Sequence, residues 1–138
     1  MLPQAQCEIA VPFYDVDSMN VVWHGHYVKY LERARCVLLD NINYGYAAMK
    51  QSGYAWPVIK LSLRYARPAI FGQSLNVIAR MTEWEYRLVI NYEIMDIVTG
   101  HGLCKASSTQ VAVNMETSET CLGSPAILEQ QLKQSGYL

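Results

Sequence analysis

The chain has 138 residues, 51% of them hydrophobic and 17% charged, with 11 Lys plus Arg against 12 Asp plus Glu. That length fits a single domain that buries roughly two thirds of its unfolded surface. The apolar content excludes a disordered segment, and the balanced charge excludes a global field that would gather nucleic acid or anionic lipid. No apolar run approaches the ~20 residues of a membrane helix.

Residues 6–14 alternate, with Cys7, Ile9, Val11 and Phe13 on one side and Gln6, Glu8 and Ala10 on the other. Period two predicts a half-buried strand. Residues 15–20 are rich in turn formers and predict a loop. From residue 25 to about 42 the spacing becomes helical: Tyr27, Leu31, Ala34 and Leu38 form a stripe, with Lys29, Glu32, Arg33 and Asp40 off it. Asn43-Tyr44-Gly45 closes that helix, and residues 46–52 predict a short second one ended by Gly53.

After Pro57 the alternation returns. Ile59, Leu61, Leu63 and Tyr65 make one strand, Leu75, Val77, Ala79 and Met81 the next, and Leu88, Ile90, Tyr92 and Ile94 a third. Thr99-Gly100-His101-Gly102 is a hairpin signal opening a last strand over residues 103–113. Residues 115–138 form a polar tail, apart from a short helix predicted after Ser124-Pro125. One strand, one long helix and four more strands predict an α+β fold, an antiparallel sheet of about five strands wrapped round the helix. The sheet's other face and its edge would need cover, which a homodimer or a dimer of dimers provides.

The cysteines, at 7, 36, 104 and 121, form no C-x-x-C pair. The first 20 residues carry Glu8, Asp15 and Asp17 and lack the features of a secretory leader. The expectation is a cytoplasmic protein with free thiols.

The stretch FYDVDSMNVVWHGHYVKYLERAR, residues 13–35, concentrates the candidate chemistry. Turn formation is the ordinary role of a loop aspartate and accounts for Asp15 and Asp17. Asp17, however, lies between a strand and a helix start, where free N–H groups and the macrodipole stabilise an oxyanion. A carboxylate beside such donors suits hydrolysis of an activated carbonyl. A metal site from Asp15, Asp17, His24 and His26 is the competing reading. It is disfavoured because the two histidines should diverge at a helix entrance and the cysteines are scattered. No G-x-S-x-G is present, and Cys36 falls mid-helix. Trp23 and the many tyrosines serve as packing on the plain reading.

Tyr14-Asp15-Val16-Asp17, Val21-Val22-Trp23-His24, Tyr27 and Tyr30-Leu31-Glu32-Arg33-Ala34-Arg35 resemble the signature of hotdog-fold acyl-CoA thioesterases. The nearest group is the 4-hydroxybenzoyl-CoA thioesterase family, including the small thioesterases associated with the Tol–Pal system. Arg67-Pro68-Ala69 and Phe71-Gly72-Gln73 extend the resemblance, which covers about residues 6–114 of a single domain spanning 1–138. The resemblance implies that Asp17 is the catalytic carboxylate, attacking the thioester itself or activating a water. It implies a secondary role for His24 and puts Tyr14 near the pocket. Backbone N–H groups around Gly25, His26 and Tyr27 would hold the oxyanion. Trp23, Val58, Ile59 and Arg87 would contact the substrate. No metal or separate cofactor is implied, since coenzyme A or phosphopantetheine belongs to the substrate.

Two positions depart from the family. Ser18-Met19-Asn20 stands where relatives often carry glycine, which narrows backbone freedom there. Trp84-Glu85-Tyr86-Arg87 replaces a more basic run, leaving Arg87 as the phosphate contact and admitting an acyl carrier protein as donor. A hotdog dehydratase or hydratase, and a non-catalytic acyl-binding protein, are the alternatives. The first lacks its usual Gly-His-Phe-Pro segment, and the second would not need Asp17 and His24.

Overall fold

Period-two strands and one helical stripe assemble as the chain order requires. The computed structural model describes residues 1–138. Its elements are β1 (Gln4–Ala10), α1 (Tyr27–Asn41), α2 (Tyr46–Gln51), β2 (Tyr54–Ala55), β3 (Val58–Tyr65), β4 (Ser74–Glu83), β5 (Leu88–Asp96), β6 (Gly102–Gln110), β7 (Val113–Asn114) and α3 (Ala126–Gln134). Single 3-10 turns occupy Phe13–Asp15 and His24–His26, the second leading directly into α1.

Five strands form one antiparallel sheet in the order β1-β4-β5-β6-β3, and α1 packs on β1 and β4. This is the expected α+β arrangement. The stripe Tyr27, Leu31, Ala34 and Leu38 is buried, and with Leu75, Val77, Ala79, Ile90 and Ile94 it builds the core. Each fully buried Leu or Ile contributes on the order of 1.5–3 kcal/mol relative to exposure. Four or five such side chains on α1 and the sheet therefore outweigh the weak intrinsic stability of a 15-residue helix.

Chain order alone does not give the strand order. β3 and β4 are consecutive in sequence yet lie apart in the sheet, with β6 and β5 between them. The link over residues 66–73 therefore crosses the end of the sheet beside the start of α1. It is pinned there by Val22 N–H to the Ala69 carbonyl (2.8 Å) and by Ala69 N–H to the Tyr27 hydroxyl (2.9 Å).

β3 is an edge strand, and its apolar residues stay open, with Ile59 59% and Leu61 41% exposed. Period two placed them correctly on a strand, but no second layer of the same chain covers that edge.

The tail is less polar in effect than its composition suggests. Leu128 and Leu132 of α3 are fully buried in the core. Pro125 sits at the N-cap, and Ser124 before it donates its hydroxyl to the Trp84 carbonyl. All four cysteines are free. No helix is long and apolar enough to cross a membrane.

Candidate active site

The loop that carries Asp17 is a narrow reversal. Val16 bridges Val22, Asp17 N–H donates to the Val21 carbonyl (2.9 Å), and Asn20 N–H donates to the Asp17 carbonyl (3.0 Å). Asn20 takes a φ of 63°. Asparagine tolerates this left-handed conformation better than most residues, so it stands in for the family's glycine and the reversal survives. The Asp17 side chain is exposed. Its Oδ1 accepts the Met19 N–H at 2.8 Å, and its other oxygen has no partner.

Asp17 lines a cleft of about 380 Å³ together with Trp23, His24, Tyr27, Tyr65 and Arg67. Of the expected site residues, the fold therefore brings Asp17, Trp23, His24 and Tyr27 together. The 3-10 turn beside them positions the backbone. His26 N–H donates to the Trp23 carbonyl at 2.9 Å, and Tyr27 N–H is directed at the Gly25 carbonyl. No turn or loop bond is made by Gly25 N–H, which marks it as the candidate open donor of the three. A Cβ at that position would overlap the Trp23 indole, so any larger residue there requires the ring to move. The indole packs against the His24 ring at 5.0 Å and the His26 ring at 5.3 Å.

Other expected site residues lie elsewhere. Tyr14 is 80% exposed outside the cleft, with Lys29 Nζ 6.0 Å from its ring centroid. Val58 and Ile59 open β3, seven residues before Tyr65 and roughly 23 Å away at ~3.3 Å per residue. Arg87 lies at the β4–β5 turn, where its Nε bonds the Glu83 carboxylate at 3.2 Å. No group of three or more His, Cys, Asp and Glu is arranged to hold a metal ion.

Asp15 corrects the plain sequence reading. It does not serve turn chemistry on neighbouring backbone, because its side chain is 2% exposed and points into the protein. Lys29 Nζ and the Tyr30 hydroxyl each donate to it at 2.7 Å, and His26 Nδ1 lies 3.9 Å away. Burial pushes the Asp15 carboxyl upward, but the bonds from Lys29 and Tyr30, with the charges of Lys29 and His26, outweigh burial and hold it below the ordinary range. The same environment drives the Tyr30 hydroxyl far upward, first by burial and then through its bond to Asp15. The Asx turn is made by Asp17 instead.

In the sequence Tyr65 is one more apolar residue of an alternating strand. In the structure its hydroxyl donates to the His24 carbonyl at 3.0 Å, and its ring meets Tyr27 edge-on at 4.9 Å. Arg67 carries no signal in the sequence beyond the Arg67-Pro68-Ala69 motif. It lines the cleft and pairs with His101 Nδ1 at 2.9 Å, without a carboxylate partner.

A second, larger cavity of about 860 Å³ opens between α1, α2 and the β2–β7 pair. Its walls include Leu39, Met49, Trp56, Pro57 and Val113, with the Glu32–Arg35 ion pair on one side. No sequence pattern announced it, because its lining comes from five separate segments.

Residues 11–131 match the model of the Thioesterase-like superfamily. The chain belongs to that superfamily. Among relatives, this thioesterase-like chain is 24% identical over 130 residues to the long-chain acyl-CoA thioesterase FadM of Escherichia coli (strain K12), covering 94% of this chain and 97% of FadM. It is 30% identical over 74 residues to the acyl-CoA thioester hydrolase YbgC of Escherichia coli O157:H7, covering 54% and 55%. The crystal structure of Slr0204, a 1,4-dihydroxy-2-naphthoyl-CoA thioesterase from Synechocystis, superposes with a TM-score of 0.83 at 20% identity, covering 94% of this chain and 96% of Slr0204. The hotdog fold of the thioesterases is therefore the fold of this chain.

Proposed function

We propose that the protein hydrolyses acyl thioesters of coenzyme A or of an acyl carrier protein to the free acid and the thiol. The observation that carries this reading is the meeting of Asp17, with one carboxylate oxygen free, and the start of α1 in one cleft. Membership of the thioesterase-like superfamily supports it, and relatives named for thioester hydrolysis disfavour the dehydratase and binding-protein alternatives. In this mechanism Asp17 attacks the thioester carbonyl or takes a proton from the attacking water. Either route passes through a tetrahedral oxyanion, to which Gly25 N–H donates. His24, exposed beside Asp17, orients the water or the leaving thiol. No metal or separate cofactor takes part. Four free thiols suit a reducing, cytoplasmic setting.

The active unit is a homodimer or a dimer of dimers. Supporting this, β3 offers an unpaired edge with exposed Val58, Ile59, Leu61 and Tyr65. A twofold axis through the middle of β3 brings the Tyr65 end of one protomer to the Val58 end of its partner. The Asp17 cleft then adjoins the partner's apolar cavity at Trp56 and Pro57, whose walls suit an acyl chain.

Arg87 is engaged by Glu83, so the β4–β5 turn offers little to a nucleotide's phosphates. That favours a carrier-protein donor, whose phosphopantetheine carries one phosphodiester. The test is a panel of acyl-CoA and acyl-carrier thioesters, read as released thiol. Cleavage of acyl-carrier thioesters with higher kcat/KM than the matching acyl-CoA is expected. No hydrolysis across the panel overturns the function, and equal rates for the two donors overturn the donor preference.

A further inference from the structure

Asp15 is a buried carboxylate that the proposed reaction does not use. It stands two residues from Asp17 and reaches both the His24–His26 turn and the start of α1, which frame one side of the cleft. Its backbone carbonyl accepts the Trp23 N–H at 3.1 Å, which ties the Phe13–Asp15 turn to the residue preceding the His24–His26 turn. Its side chain accepts from Lys29 Nζ and the Tyr30 hydroxyl, both at 2.7 Å, which ties the same turn to the start of α1. His26 Nδ1, at 3.9 Å, adds a third neighbour from the turn itself. Asp17 and Gly25 thus hang from two sides of one fixed point.

We propose that Asp15 is a positioning residue that sets the distance between the Asp17 carboxylate and the Gly25 N–H. This rests on reading the Asp17 cleft as the site of thioester hydrolysis.

Chemistry selects aspartate for this task. A carboxylate only accepts, and here it faces two donors, so both bonds are satisfied and charge-assisted. Asparagine has the same shape but turns one face into an N–H₂ donor opposite Lys29 Nζ or the Tyr30 hydroxyl. With its oxygen toward Lys29, the amide N–H₂ meets the Tyr30 hydroxyl, which must turn from donor to acceptor. Both bonds also lose the carboxylate's charge, so the turn is held less firmly against the Asp17 loop. Displacements of about 1 Å at a reacting centre cost up to 10²-fold in rate. Because substrate binding draws on other contacts, the loss falls on kcat.

The test uses the full-length protein and three variants, Asp15→Asn, Lys29→Met and the double variant, each assayed well below its own Tm. Asp15→Asn is expected to lower kcat by about 10²-fold with KM little changed. Lys29→Met, at a half-exposed side chain, should lower kcat in the same direction by less. Both changes weaken the same tie, so the double variant should lose little more kcat than Asp15→Asn alone. A merely structural Asp15 would lower Tm and leave kcat at wild-type values, and that result overturns the proposal. Should Asp15→Asn fail to fold, Lys29→Met alone decides between the two outcomes.

Amide hydrogen exchange over residues 23–27 gives a readout independent of activity. Faster exchange there in Asp15→Asn or Lys29→Met supports the positioning role, and unchanged exchange overturns it. A wild-type protein that cleaves no thioester would overturn the function while this measurement still judges Asp15.

Discussion

The Tyr65 hydroxyl donates to the His24 carbonyl at 3.0 Å, joining residues 41 positions apart. This bond fastens the last residue of β3 to the turn that presents the Gly25 N–H. Tyr65→Phe removes the donor while keeping the edge-on contact with Tyr27. A typical hydrogen bond is worth about 0.5–1.5 kcal/mol net, and about 1.4 kcal/mol of transition-state energy is tenfold in rate. Steady-state kinetics should therefore show kcat reduced by roughly tenfold or less, with a slightly lower Tm. An unaltered kcat would mean that the turn is held without Tyr65.

Asp17→Asn should be the most damaging change to chemistry and among the mildest to stability. Asparagine keeps an oxygen for the Met19 N–H but can neither take a proton nor attack productively. General base catalysis is typically worth ~10²–10⁴ in rate, so kcat should fall by about that much with KM and Tm almost unchanged. Near wild-type hydrolysis by this variant would move the search for a base to His24.

Gly25→Ala tests the donor turn by crowding it. The new methyl meets the Trp23 indole, which is itself packed against His24 and His26. The Trp23 ring is 52% exposed and can swing outward, so the cost should sit at the low end of the ~1–3 kcal/mol of core overpacking, while the shift displaces the N–H. Chemical denaturation should show the loss of stability, and kcat should fall with it. Shortening the ring in Gly25→Ala/Trp23→Leu should restore stability more than rate.

Acid stability should report Asp15. Its folded carboxyl titrates below the ordinary value near 3.9, so the unfolded chain binds the proton first as pH drops. The stabilisation is fully present above about pH 4 and is lost as pH falls further through the folded value. Tm of wild type should exceed that of Asp15→Asn at pH 7, and the gap should narrow below about pH 4. A gap that stays constant down to the acid limit would show that Asp15 is not charged in the fold.

Subunit mixing can establish whether sites are shared. If Asp17 of one protomer works with Val58 of its partner, Asp17→Asn and Val58→Arg chains complement each other. Random exchange gives half heterodimers, each with one intact site, so activity should recover to about a quarter of wild type. A mixture no more active than its parts would place the whole site within one chain, and light scattering of a fully active monomer would remove the dimer altogether.

Much of this protein was determined by its sequence alone. The stripe of Tyr27, Leu31, Ala34 and Leu38 and the alternation after Pro57 fixed a helix and strands, because periods of 3.6 and 2 leave one apolar face each. The motif from Tyr14 to Arg35 was legible because the family's chemistry needs those residue types at a short range. Strand order was not legible, since nothing local states that β3 joins β6 and passes over β4. The same non-local fact decides that Tyr65 reaches His24, that β3 stays open and that the large cavity exists. Asp15 and Asp17 show the limit most plainly. Two residues apart in one loop, they read alike, yet Asp15 turns inward to Lys29 and Tyr30 while Asp17 faces the cleft. Only the packing of α1 against that loop separates them, because burial and partners are set by what the rest of the chain brings close.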